Sequence, residues 1–128
     1  MISGVRKIIV PVADQERAKE FWTDKIGFAT TYDQTYGDER WVEVTPPDGS
    51  VVLVLSPRAP GEPRREVRDQ LPHSDIFFSC DDIQRTYEEM TDRGVKFPAP
   101  PAEMHFGWWS MFEDYEGTRY VLGQWGPR

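Results

Sequence analysis

The chain has 128 residues, with 15 Lys and Arg against 22 Asp and Glu, a formal net charge of −7, and one cysteine. That length argues for one domain able to bury its own core. The acidic balance excludes a nucleic-acid groove or an anionic-membrane surface, since both need clustered cations, and Cys80 alone excludes an intrachain disulfide framework.

Ile8, Val10 and Val12 alternate with Lys7, Ile9 and Pro11, which predicts a first strand. This apolar run is far shorter than the ~18 residues of a membrane span, and no leader pattern precedes it, so a cytoplasmic protein is expected. Asp14 is placed to cap a helix, Ala18, Phe21, Trp22 and Ile26 fall on one helical face, and Gly27 stops it. Strands are expected over Phe28–Gln34, Arg40–Thr45 and Ser50–Ser56, the last two joined by the turn Pro46-Pro47-Asp48-Gly49. Pro57 to Pro72, rich in proline and charge, reads as a linker.

The pattern then recurs. Ile76 to Cys80 reads as a strand, Asp81 or Asp82 as a cap, Ile83, Tyr87 and Met90 as an inward face, and Gly94 as a stop. Strands follow at Val95–Phe97, Trp108–Glu113 and Thr118–Trp125, with Asp114-Tyr115-Glu116-Gly117 as the turn. The recurrence is also literal. At an offset of 68, Asp14, Arg17, Glu20, Thr23 and Asp24 match Asp82, Arg85, Glu88, Thr91 and Asp92, and Trp41 matches Trp109. The expected fold class is therefore α+β: two tandem βαβββ modules, about 1–60 and 70–128, in a single domain 1–128 with the linker at 57–72. One helix covers only one face of each four-stranded sheet, so the opposite faces are expected to form curled walls around a cleft.

The start VRKIIVPVADQERAKEFWTDKIGF and the turns PPDG and DYEG resemble the glyoxalase / bleomycin-resistance / extradiol-dioxygenase (vicinal oxygen chelate) superfamily over essentially the whole chain. The resemblance implies four metal-ligand positions on the cleft faces in metal-using relatives. One lies seven residues before each capping Asp and the other four residues after each turn Gly, which here selects Lys7, Leu53, Asp75 and Val121. Leu and Val have no lone pairs to offer, and Lys7 is a fixed positive charge. A divalent ion usually needs about three protein ligands, so no metal and no cofactor is expected. Lys7 and Asp75 are expected to pair across the cleft floor. A displaced site built from His73, Asp75, Glu43 and His105 is the alternative.

Aromatic residues make up 13% of the chain, five of them Trp. With the even-numbered Ile8, Val10, Val12, Val52, Val54, Ile76, Phe78, Tyr120 and Leu122 assigned to the helix faces, the odd-numbered set lines the cleft. The expected ligand-binding residues are Lys7, Ile9, Trp41, Glu43, Leu53, Asp75, Phe77, Trp108, Trp109, Met111 and Val121. Leu55, Ser79 and Arg119 belong to the same face, and Tyr32, Asp33, Tyr36 and Asp38 form an acidic rim. Such a wall suits a flat, aromatic or cationic small molecule. The expected function, by resemblance, is a metal-independent homodimer that sequesters a drug without altering it. The rival is an enzyme of the same superfamily, glyoxalase/lyase- or dioxygenase-like, with an atypical metal site or with Lys7 and Asp75 as acid and base.

Overall fold

In the computed structural model, which describes residues 1–62 and 72–126, the chain first becomes extended at β1 (Lys7–Val12). Asp14 leaves it in extended conformation and accepts from the backbone N–H groups of Glu16 at 2.9 Å and Arg17 at 3.1 Å. That cap starts α1 (Gln15–Glu20), whose last turn widens into a π-helical turn over Phe21–Lys25. Gly27 turns the chain at φ +93°, and β2 (Ala29–Tyr36), β3 (Glu39–Thr45) and β4 (Val52–Pro57) follow. The β3–β4 turn is locked by Asp48, whose Oδ1 accepts from the Ser50 backbone N–H and hydroxyl at 3.0 and 2.7 Å.

The second half repeats this order. β5 (Phe77–Ser79) leads through the Asp82 cap to α2 (Ile83–Asp92), then β6 (Lys96–Met104), β7 (Gly107–Glu113) and β8 (Arg119–Trp125). Two four-stranded mixed sheets result, ordered β1-β4-β3-β2 and β5-β8-β7-β6, with β1/β4 and β5/β8 parallel and the other pairs antiparallel. The chain divides into two compact units, Met1–Arg64 and Arg65–Arg128. Of the expected linker 57–72, residues 63–71 lie outside the described residues.

In the first unit, Ala18, Phe21 and Trp22 of the helical segment are buried, as are Val10, Val12, Val42, Val44, Leu53 and Leu55 of the sheet. Gln15 Nε2 stitches helix to sheet by donating to the carbonyls of Arg40 at 2.8 Å and Leu55 at 2.9 Å. In the second unit the helix-covered face is aromatic: Phe78, Phe112, Tyr120 and Phe97 meet ring to ring, and Tyr87 of α2 meets Phe97 edge-on at 4.8 Å.

β6 is longer than the expected Val95–Phe97, running through Pro98, Pro100 and Pro101. It is an edge strand and ladders only with β7, so prolines cost it few bonds, and its register slips between Lys96 and Ala99 and again before Ala102.

Candidate functional site

Each sheet has a face that its own helix does not cover, and the strand registers decide which side chains lie there. In the first unit Ile8 pairs with Leu53 and Ile9 with Val54, while Val44 pairs with Leu53 and Glu43 with Val54. Partners in a ladder share a face. The open face therefore carries Lys7, Ile9, Trp41, Glu43, Val52 and Val54. Leu53, expected in the binding set and at a metal position, lies with Leu55 on the helix face, 2% exposed. The assignment of Val52 and Val54 to the helix face is overturned with it. A slip of one residue in β4 exchanges its two faces, and every residue from Val51 to Leu55 is apolar.

Glu43 organises this face. Its Oε2 accepts from Lys7 Nζ at 2.6 Å and from Trp41 Nε1 at 2.6 Å. Partial burial favours the neutral acid, but the Lys7 and Trp41 bonds outweigh it and hold the carboxyl below its usual range. Lys7 thus spends its charge on Glu43 within its own unit, and Asp75, the partner expected for it, is exposed and precedes β5 in the other unit. Tyr32 stands opposite Glu43 and Gln34 opposite Trp41 on β2. The hydroxyls of Tyr32 and Tyr36 bond each other, which raises the Tyr32 phenol pKa. These tyrosines are expected from the sequence to form an acidic rim with Asp33 and Asp38. Asp33 instead sits on the helix face, gripped by Arg40 Nε and Nη2 at 2.9 and 2.7 Å and by Lys19 Nζ at 2.9 Å. Those cations hold its carboxyl well below the ordinary carboxylate range, and its charge is committed.

On the second sheet Phe77 pairs with Val121, and Val121 with Met111, while Trp109 pairs with Gly123. Phe77, Trp109, Met111 and Val121 therefore share the open face. Trp108, expected beside them, pairs with Gln124 in the alternate set, and Gln124 caps α2 by accepting from Ile83 N–H at 2.8 Å. Trp108 is thus on the helix-bearing side, because adjacent residues on a strand point to opposite faces. Glu113 and Arg119 pair on the open face at 3.1 Å.

The rings of this face form a chain. His73 meets Phe77 edge-on at 5.3 Å and Trp109 at 6.5 Å; Phe77 meets Trp125 at 6.5 Å; Trp125 stacks with Phe106 at 6.4 Å, and Phe106 meets His105 at 5.3 Å. Trp125 and Phe106 were missed from the sequence. The available signal was Gly123, a glycine inside a strand, which marks a close approach. Trp125 folds over that glycine.

The chemistry present does not fit the family's metal. The marked positions hold an amine bonded to Glu43, two aliphatic side chains and one exposed carboxylate, Asp75. No three His, Cys, Asp or Glu come together as a ligand group among the described residues. Burial first, then Asp81 and Asp82, push the Cys80 thiol pKa up, away from the thiolate form.

Comparison with known proteins gives the same frame. The chain is 36% identical over 123 residues to the uncharacterized protein YetH of Bacillus subtilis, covering 95% of this chain and 98% of that one. It is 31% identical to TnmS3, an antibiotic binding protein from Streptomyces sp. CB03234, with a TM-score of 0.83 and 98% of both chains covered. A superfamily member from Sphaerobacter thermophilus DSM 20745 superposes with a TM-score of 0.83 at 27% identity, over 97% and 98% of the two chains. The family model matches residues 4–122, and the chain belongs to the Glyoxalase/Bleomycin resistance protein/Dioxygenase superfamily.

Proposed function

We propose that the protein is a metal-independent small-molecule binding protein, which holds a flat aromatic or cationic guest on its exposed aromatic sheet faces and releases it unchanged. The observation that carries this reading is the chain of rings His73–Phe77–Trp125–Phe106, in which Phe77 remains 55% exposed. Open aromatic surface is costly to leave in water and gains most from a stacked planar partner. Trp41, with its indole N–H pinned to Glu43, offers a second stacking surface on the first unit. The net charge of −7 favours a cationic guest. The likeness to TnmS3, an antibiotic binding protein, supports the same class. Metal independence rests on the side chains at the family's ligand positions, which offer a divalent ion too few donors. The working form is a homodimer in the cytoplasm.

The test is titration of EDTA-dialysed protein with proflavine, a planar cation, followed by tryptophan fluorescence. Saturable quenching is expected, weakened in Trp41→Ala and Trp109→Ala, with the dye recovered intact by mass spectrometry. A stoichiometric, tightly held divalent ion in protein purified without affinity-tag metal, or chemical conversion of the guest, would reverse the reading.

A further inference from the structure

His73 is buried, 7% exposed, yet among the described residues only one of its ring nitrogens is bonded. Nδ1 lies 2.7 Å from the carbonyl oxygen of Ser74. A carbonyl can only accept, so Nδ1 carries the proton, and Nε2 of the neutral ring is left as an acceptor. Among the described residues no group bonds Nε2.

The ring is also held in place. Ser74 is fully buried, and its N–H donates to the Arg119 carbonyl at 2.7 Å, which pins the segment just before β5 alongside β8. Phe77 and Trp109 meet the imidazole at 87° and 58°, and both belong to the open face. A single-tautomer acceptor beside the exposed Phe77 ring and the part-exposed Trp109 indole is what orients a guest in an otherwise apolar site.

We infer that His73 Nε2 accepts a hydrogen bond from an N–H or O–H at the edge of the planar guest. The ligand class is then a planar aromatic molecule with a donor on its rim. His73 is the residue that distinguishes it from a flat molecule lacking one. This rests on the binding reading above and narrows it.

A matched pair of probes tests the inference: 2-hydroxyanthraquinone, with a free phenolic O–H, and 2-methoxyanthraquinone, with that proton replaced by methyl. The wild-type protein is expected to bind the hydroxy compound about tenfold more tightly, the worth of one neutral hydrogen bond. His73→Phe is expected to bring the two affinities together. A second readout leaves His73 itself unchanged. The chain has two histidines, so with ¹⁵N-labelled histidine the Nε2 resonance of His73 is expected to shift on adding the hydroxy probe and not the methoxy probe, with His105→Gln supplying the assignment. Equal wild-type affinities, a preference that survives in His73→Phe, or an unmoved Nε2 resonance overturn the role of His73 and leave the binding function standing. Failure of both probes to bind overturns both.

Discussion

Trp125 lies across Gly123 so closely that a Cβ built on the glycine would stand 2.5 Å from the indole Cη2. The glycine is the seat that lets this indole lie down on the sheet between Phe77 and Phe106. Gly123→Ala is expected to lift the ring without removing it. Affinity for proflavine falls about fivefold, because a stacked ring contributes roughly 1 kcal/mol. Urea unfolding should move little, since Trp125 is exposed at its strand end.

Glu43 is expected to matter as the clamp on Trp41 more than as a charge. Its pair with Lys7 is partly open to water, with side chains 38% and 12% exposed, so its net contribution to stability is about 1 kcal/mol or less. Glu43→Gln keeps an acceptor for the indole N–H, and its affinity for 2-methoxyanthraquinone should stay within about twofold. Glu43→Leu frees the indole, and the same affinity should fall several-fold. Isothermal calorimetry on both variants checks this; equal losses would show that the indole bond is unimportant.

Acid titration should expose the turn between β7 and β8. Asp114 is buried and accepts from the N–H groups of Glu116 at 3.0 Å and Thr118 at 2.9 Å and from the Tyr120 hydroxyl at 3.2 Å. Burial nonetheless dominates and raises its pKa from 3.8 to about 6. Between those values the folded state binds a proton that the unfolded state has lost, so this group's contribution is present below pH 3.8 and disappears as pH rises through 6. The span corresponds to at most ~3 kcal/mol. Asp114→Asn, which still accepts the turn bonds, is expected to be less pH-dependent than wild type between pH 4 and 7 in urea unfolding. Asp33 acts in the opposite sense. Its carboxyl is held down by Arg40 and Lys19, so its contribution is present above the ordinary carboxylate pKa and is lost only as pH falls well below it. An unchanged slope in Asp114→Asn would place the titration elsewhere.

Gly107 opens β7 at φ +136°, and a Cβ there would collide with the backbone carbonyl oxygen of Gln124 on β8. Neither side of that collision is a side chain that could swing away. Gly107→Ala is expected to destabilise the protein by ~2 kcal/mol or more, read as a lower Tm with unchanged binding per folded molecule. Gly49→Ala is the milder control, because at φ +69° it meets only left-handed backbone strain, with open space around it.

Much of this architecture is written in local chemistry. The caps Asp14 and Asp82, the stops Gly27 and Gly94 and the turns at Gly49 and Gly117 all act within a few residues of themselves. They mark where each element begins and ends. The recurrence at an offset of 68 then makes the second unit a check on the first. In the second unit the alternation of Trp109, Met111 and Val121 with Phe112, Tyr120 and Leu122 also predicts which side chains share a face.

The opposite faces of β4 are a different matter. Val51 to Leu55 is apolar throughout, so no alternation says which side is buried, and the turn at Gly49 does not specify parity. Only the pairing of Leu53 with Ile8 and Val44, and of Val54 with Ile9 and Glu43, settles it. The partner of Lys7, the descent of Trp125 onto Gly123 and the bonding of His73 are likewise matters of space. A sequence specifies local geometry through forces that act along the chain. Which carboxylate meets a given lysine depends on how strands separated by dozens of residues come to lie side by side, and that was decided only when the sheet formed.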